Sequence, residues 1–452
     1  MIVLKFGGTS MADASTWKKV LAIVQSRKNP VLVVSATSGT TNMLIDAAQK
    51  ARTNYLATAL EIAYNIKRKH EAAVDQMLAD AKPANADAIK TRCNDFIDGI
   101  YTELCDYLNG IKTLGELTPR TLDRISSIGE RLSSYLISEY AGALGMPAQF
   151  FDATDVIKTN ADFGKAQPLK EETETACAAL VDAVKAGKFP VTGGFYGASP
   201  DGEITTLGRG GSDYSAAIIG AAMKADVIEI WTDVSGMYTC DPRFVPKAYS
   251  IPHVGFNEAA ELAYFGAKVL HPATILPAVE LNIPVYILNT FEPNHPGTRI
   301  SAEAPESGSA RAIAFKKNIT VITIESSRML NAHGFLAKVF AFFEKHKISI
   351  DLISTSEVSV SMTVESSANI DRVLEDLKTI GTVSVTSDQG MICLVGSGFL
   401  KSKGIASTVF EAVKAYPIRM ISQGSSEINL SFVVSSEHLM PAVQALHKAF
   451  FE

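Results

Sequence analysis

The last third of the chain repeats itself. A shift of 70 residues, without a gap, lays Gly334 on Gly404, Val339-Phe340 on Val409-Phe410, and Ile348 on Ile418. The same shift lays Ser356-Glu357 on Ser426-Glu427, Ser361 on Ser431 and Val364 on Val434. Each copy reads strand, glycine-led helix, strand, strand, helix, and a strand over 383–386 completes the first as a split βαββαβ unit. A solenoid needs more copies than two to bury a continuous core, so two copies predict a paired α+β module.

The first part of the chain obeys a different rule. Residues 2–6 (IVLKF) form an apolar strand, followed by a glycine turn at 7–10 and a helix over 14–27. A second strand over 30–35 runs into a small polar loop at 36–42 and another helix. That order predicts an α/β fold with a mainly parallel sheet. Residues 51–141 carry apolar residues at helical spacing and no strand signal, which predicts a helical insertion. Strands return at 148–151, 190–195, 227–231 and 285–288, and 290–311 is dense enough in Pro, Gly, Ser and Glu to predict a linker. The expected domains are therefore 1–300, 312–387 and 388–452.

Composition narrows the class. The 452 residues are 47% hydrophobic and 20% charged, as in ordinary globular chains, with a net charge of -6. That charge offers no footprint for nucleic acid or an anionic membrane, so neither is expected as a partner. No apolar run approaches the roughly 18 residues of a membrane span, and the N-terminus lacks the pattern of a signal peptide. Five cysteines, an odd count without a C-x-x-C pair, argue against a disulfide framework or zinc site and predict the cytoplasm. The eight histidines show no metal-ligand spacing, and His271, in a His-Pro turn, reads as structural.

Two glycine loops carry the chemistry. Lys5-Phe6-Gly7-Gly8-Thr9-Ser10 directly follows a strand. Its glycines admit close backbone approach and successive N–H groups can cup an anion, while Lys5 supplies a point charge for phosphate oxygens. Thr205-Thr206-Leu207-Gly208-Arg209-Gly210-Gly211-Ser212-Asp213 runs into a helix over 214–223. Ser212 is the expected N-cap, so the helix N-terminus faces the loop and favours an anion. Arg209 can clamp a carboxylate, and Asp213 can orient a lysine. Neither loop is a Walker A motif, and Gly396-Ser397-Gly398 with Lys401 is too weak for a dinucleotide fingerprint.

These loops, together with SSIGERLSS at 126–134, WTDVSGMYTCDPR at 231–243 and FGAKVLHP at 265–272, resemble the aspartate kinases of the amino-acid kinase superfamily, most nearly the monofunctional lysine-sensitive type. The resemblance implies a three-layer sandwich and a kinase that uses ATP with Mg²⁺ on L-aspartate. It implies Lys5 and Asp213 as catalytic residues. Lys5, Phe6, Gly7, Gly8, Gly210, Gly211, Thr232, Asp233, Tyr238, Arg243 and Lys268 would bind ATP. Thr41, Glu130, Phe195, Arg209 and Ser212 would bind aspartate, Glu130 at its α-ammonium and Arg209 at its α-carboxylate. No dedicated protein ligands to metal are implied, Mg²⁺ arriving with ATP. An aspartate side chain, with a pKa of roughly 3.9, needs no general base; alignment and positive charge are the catalytic needs.

The repeats resemble tandem ACT domains, small-molecule sensing modules. In the first copy Met329, Gly334, Phe335, Leu336, Ser349, Ile350, Asp351, Thr355, Ser356 and Glu357 resemble the lysine-binding segments of the lysine-sensitive enzymes, and Asp351 would take a ligand ammonium. The repeat partner of Asp351 is Ile421, so the copies are not chemically equivalent. Ala332 stands where that family is expected to have a serine. L-lysine is the implied feedback effector, with L-threonine as the alternative; a homodimer through the ACT units is implied, with a tetramer as the alternative. The competing functions are another amino-acid kinase, acting on glutamate or acetylglutamate, and a catalytically inactive amino-acid sensor.

Overall fold

The computed structural model describes residues 1–265, 270, 272–305, 308–329, 333–366, 369–399, 401–424 and 426–452. It falls into two compact units. One comprises Met1–Met237, Pro252–Phe256 and Val269–Ala304; the other comprises Tyr238–Ile251, Asn257–Lys268 and Pro305–Glu452.

The first unit runs β1 (Ile2–Phe6), α1 (Ala14–Gln25), β2 (Pro30–Val34), α2 (Thr40–Arg52), α3 (Leu56–Ala81), α4 (Ala86–Leu114), α5 (Pro119–Ala143), β3 (Ala148–Phe151), α6 (Ala153–Val156), α7 (Lys170–Lys185), β4 (Phe189–Gly193), β5 (Tyr196–Ala198), β6 (Ile204–Thr206), α8 (Gly211–Ala222) and β7 (Val227–Thr232). After the second unit's first segment come β8 (His253–Gly255), α10 (Leu276–Glu280), β9 (Val285–Asn289) and β10 (Thr298–Ser301); α9 (Phe256–Phe265), between β8 and α10 in the chain, belongs from Asn257 on to the second unit. Eight strands form one sheet in the order β3-β4-β2-β1-β7-β9-β10-β8. The first six are mutually parallel, and β10 runs antiparallel to β9. Covered on both faces, β1 is apolar almost throughout: Val3, Leu4 and Phe6 are fully buried. Lys5 is its single charge.

The helical insertion is α3–α5, preceded by α2. These helices bury Ala59, Ala63, Ile66, Ile97, Leu104, Leu108, Ile128 and Leu132 in the same core as β1. The stretch expected to be a linker instead contains β10. Pro296-Gly297 turns the chain back on β9, and a Cβ on Gly297 (φ +63°) would lie 2.1 Å from the Ile287 carbonyl oxygen. Thr298 and Ile300 are fully buried, so a Pro- and Gly-rich composition here marks a tight hairpin rather than a free tether.

The second unit contains β11 (Ala312–Glu325), α11 (Phe335–Lys345), β12 (Ile353–Thr355), β13 (Ser359–Glu365), α12 (Asp371–Lys378), β14 (Thr382–Val395), α13 (Ile405–Ala412), β15 (Met420–Gln423), β16 (Asn429–Ser435) and α14 (Ser436–Phe451). The six strands make an antiparallel sheet ordered β12-β13-β11-β14-β16-β15. The repeat is visible in the backbone: Gly334 (φ 82°) leads α11 and Gly404 (φ 86°) leads α13, while β13 and β16 occupy matching positions. Yet the copies are not strung end to end. Residues 387 and 388 lie inside the single strand β14, and Ala312–Lys316 of β11 pair with Val395–Met391 of β14. The first part of the strand that opens the first copy thus completes the sheet of the second. The register shift between Lys316 and Ile319 marks the changeover along β11.

Two segments upstream of the repeats are built into this unit. In 238–251, Cys240 and Val245 share a core with Ile313, Ile392 and Leu394. The Ile313 amide donates to the Thr239 carbonyl at 2.7 Å, and the Thr239 hydroxyl bonds His447 Nε2 at 3.0 Å. From α9, Glu258 pairs with Arg311 at 3.0 Å and Glu261 accepts from Asn429 at 2.9 Å. No described helix is long and apolar enough to cross a membrane.

Candidate functional site

The first glycine loop is set by the sheet. β1 pairs with β2 on one side and β7 on the other, so Lys5 lies in register with Val33 and Ile230. The Gly7 amide donates to the Trp231 carbonyl at 3.1 Å, and Phe6 stacks on Trp231 with centroids 5.7 Å apart. A Cβ on Gly7 would point toward Lys5 Nζ, 3.5 Å away, and one on Gly8 toward the Ala36 carbonyl oxygen at 3.6 Å. The backbone there is bare beside an ammonium, which suits a phosphate.

Lys5 Nζ lies 2.6 Å from Asp213 Oδ1, and both side chains are largely buried. Oδ1 makes no directed hydrogen bond, so the contact is one of charge. The expected N-cap is corrected: Gly210 (φ 72°) caps α8, and Ser212 sits in the first turn. The loop must turn through a left-handed conformation to enter the helix, which only glycine adopts cheaply. A Cβ on Gly211 would strike the Phe195 ring at 2.7 Å, and one on Gly194 would strike Ser212 at 2.8 Å. Phe195 itself holds φ 74°, fixed by its amide donating to the Ser215 hydroxyl at 2.8 Å. Arg209 is exposed at the loop's tip.

Glu130, on α5, is fully buried and Oε2 has no hydrogen-bond partner. Burial pushes its carboxyl up to about 8, although the amides of Ala36 and Glu130 and the charge of Lys5 pull the other way. Close packing sets its place: a Cβ on Gly129 would meet Ala36 Cβ at 2.6 Å, and one on Gly193 would meet Glu130 Cβ at 3.2 Å. Thr41 is the second residue of α2, beyond Gly39 at φ 79°. Thr232 ends β7, its hydroxyl 3.1 Å from Asp233. The first unit therefore gathers Lys5, Gly7, Gly8, Glu130, Phe195, Gly211, Ser212 and Asp213 through contacts between six segments. Tyr238 and Arg243 belong to the second unit, where Arg243 grips Asp241 at 2.6 Å. Lys268 and His271 lie outside the described residues.

Sequence reasoning missed two supports. His70, buried on α3, has Nδ1 2.7 Å from the Ile66 carbonyl and Nε2 3.2 Å from the Thr37 hydroxyl. Burial lowers it to about 4, so the ring is neutral, Nδ1 donates and Nε2 accepts. Thr37 in turn bonds Thr40 at 2.5 Å, steadying the loop that carries Thr41. Asp123 accepts from the amides of Gly164 and Thr206 at 2.8 and 2.9 Å and from the Thr206 hydroxyl at 2.7 Å, tying the second glycine loop's approach to α5. A lone His or Asp inside a helical pattern carries no sequence signal for such pairing.

In the second unit Gly334 caps α11, with Phe335 buried and Leu336 exposed. Met329 ends a short 3₁₀ turn; Ala332 lies outside the described residues. Ser349 and Ile350 lead into Asp351, while Thr355, Ser356 and Glu357 are exposed around the β12–β13 turn. Asp351 already has an ammonium partner, Lys316 Nζ at 3.0 Å.

The family profile of the amino acid kinase family matches residues 1–289, and an ACT-domain profile matches 322–379 and 392–450. By fold, site and profile this is an amino acid kinase with a duplicated ACT module. Among relatives, the lysine-sensitive aspartokinase 3 of Escherichia coli is 37% identical over all of this chain and 99% of its own length. The chloroplastic aspartokinase 2 of Arabidopsis thaliana is 37% identical over all of this chain and 84% of its own. The crystal structure of E. coli aspartokinase III with aspartate and ADP (R-state) has a TM-score of 0.83 at 35% identity, each chain covered fully. The same enzyme with lysine and aspartate (T-state) gives 0.82 at 35%, again with full coverage of both chains. The chain belongs to the aspartokinases.

Proposed function

We propose that this chain transfers the γ-phosphoryl group of ATP to the side-chain carboxylate of L-aspartate, forming 4-phospho-L-aspartate, the first step toward lysine, threonine and methionine. The observation that carries the reading is the Lys5–Asp213 pair beside bare glycine backbone, with the buried Glu130 carboxyl, whose Oε2 has no partner, in the same unit. Aspartate is already ionised, so the barrier is the approach of two anions. Lys5, fixed by Asp213, neutralises the transferring phosphoryl oxygens, and the amides of Gly7, Gly8 and the α8 N-terminus cup them. Phe6, Gly210, Gly211, Thr232, Asp233, Tyr238, Arg243 and Lys268 complete the ATP contacts. Mg²⁺ bound to ATP spreads the phosphate charge.

Glu130 takes the substrate α-ammonium. Its raised carboxyl is the sign of a group awaiting a cation, because a bound ammonium replaces the solvation that burial removed. Arg209 takes the α-carboxylate, with Thr41, Phe195 and Ser212 holding the remainder. L-lysine, with Asp351 as its ammonium ligand, inhibits through the ACT unit. We place the enzyme in the cytoplasm as a homodimer formed through its ACT units. Aspartate-dependent ADP release tests the reaction: no release with aspartate, but release with glutamate or acetylglutamate, overturns the substrate. Unchanged rates at saturating lysine overturn the effector.

A further inference from the structure

We propose that Lys316 is a resident ammonium ligand of Asp351, and that an effector's ammonium enters by displacing it. The inference rests on the reading of Asp351 as the effector's ammonium site.

The Asp351 side chain is only 5% exposed and that of Lys316 15%. Oδ1 accepts from Lys316 Nζ at 3.0 Å and from the Tyr264 hydroxyl at 2.5 Å. Oδ2 is buried with no partner. Lys316 Nζ also sits 4.0 Å from the centroid of the Tyr264 ring and 5.8 Å from that of Phe265. A carboxylate, itself held by a phenol hydroxyl, and two aromatic rings around one ammonium make a cation box, and its occupant is the chain's own side chain. One buried carboxylate neutralises one ammonium. A second would leave an uncompensated positive charge in a largely desolvated place, so the two compete.

The box spans two kinds of sequence. Asp351 lies in the first ACT copy, and Lys316 sits on β11 where it changes from one copy's sheet to the other's. Tyr264 lies on α9, inside the stretch matched by the kinase profile yet part of the second compact unit. Glu258, Glu261 and Tyr264, three apart, anchor one face of α9 to this unit. When Lys316 leaves, the cation held against Tyr264 and Phe265 leaves too, and the C-terminal end of α9 keeps only the Tyr264–Asp351 hydrogen bond as its tie. The chain runs on from Phe265 toward Lys268, which the resemblance assigns to ATP. Neither Lys316 nor Tyr264 stands among the residues that the sequence motifs single out.

Lys316→Met keeps the aliphatic stem and removes the competitor. In the full-length enzyme, half-inhibition by lysine should then need about tenfold less lysine, with the same drop in Kd by calorimetry. Lys316→Arg, which keeps a cation, should stay near wild type. If Lys316→Met binds lysine no better while Asp351→Asn is lysine-insensitive, competition is overturned and the effector reading survives. If Asp351→Asn is inhibited as wild type is, the effector reading at Asp351 falls, and competition with it. Hydrogen exchange of the unmodified enzyme gives a check that needs no variant. Saturating lysine should speed amide exchange over residues 261–265, and unchanged or slower exchange there overturns the proposal.

Discussion

Among the described residues, each compact unit holds one buried lysine–aspartate pair, Lys5–Asp213 at 2.6 Å and Lys316–Asp351 at 3.0 Å. In each, a carboxylate oxygen lacks a hydrogen-bond partner. What differs is the rest of the ammonium's surroundings. Lys5 faces glycine backbone and a helix N-terminus, groups that attract anions and present no side chain to fill the space. Lys316 lies against two aromatic rings, which already satisfy a cation. The same ion pair is thus poised to meet a ligand in one unit and closed on itself in the other. A buried pair alone says little about its role; the group on the lysine's far side decides it.

The largest expected effect tests the kinase half of that contrast. Lys5→Ala should cut turnover by about 10³-fold or more while leaving lysine binding by calorimetry intact. Turnover within tenfold of wild type would make Lys5 as structural as Lys316. Next, Glu130→Gln should raise the aspartate KM about 100-fold, since it removes the carboxylate proposed for the α-ammonium. In the unaltered enzyme the aspartate KM should fall by up to about tenfold per pH unit from pH 6 to 8, as Glu130, raised to about 8, ionises. The sign for folding is opposite. A carboxyl raised in the folded state favours folding below its unfolded value of 4.5, and that contribution is lost as pH rises through about 8. Glu130→Gln should therefore flatten that part of the stability–pH curve.

Smaller effects sharpen the regulatory half. Lys316→Met strands Asp351 and should lower stability by about 2 kcal/mol, measured by urea unfolding. Lys316→Met with Asp351→Asn should recover most of that loss, because neither charge is then left unpaired. Ile421→Asp, which places a carboxylate at the matching position of the second copy, should change lysine inhibition less than about twofold. Ile421 is 44% exposed, so a carboxylate there is solvated and meets no cation box. A tenfold gain would mean that position, not surroundings, makes the site.

Much of this was legible in the residues. β1 and β3 have the bounds that apolar patterning predicts, and Gly334 and Gly404 lead matching helices as the repeat requires. The candidate catalytic residues could be named because glycine next to a strand end or helix start is a local signal. The N-cap at Ser212 failed for a local reason too: the loop enters α8 in a left-handed conformation, at Gly210. The linker expected over 290–311 holds the division between the two units, after Ala304, but its first part folds back as β10, because turn residues look alike whether they free a chain or fold it back.

The sequence by itself determined the family, the two architectures and the duplicated module, because periodicity, glycine placement and repeat length are properties of neighbouring residues. Only the tertiary structure decided that β11 and β14 each serve both copies, that two kinase-family segments are built into the regulatory unit, and that Asp351 is already occupied. Those facts join residues far apart in the chain, as Tyr264, Lys316 and Asp351 are. No local pattern records which distant charge burial will bring to a carboxylate.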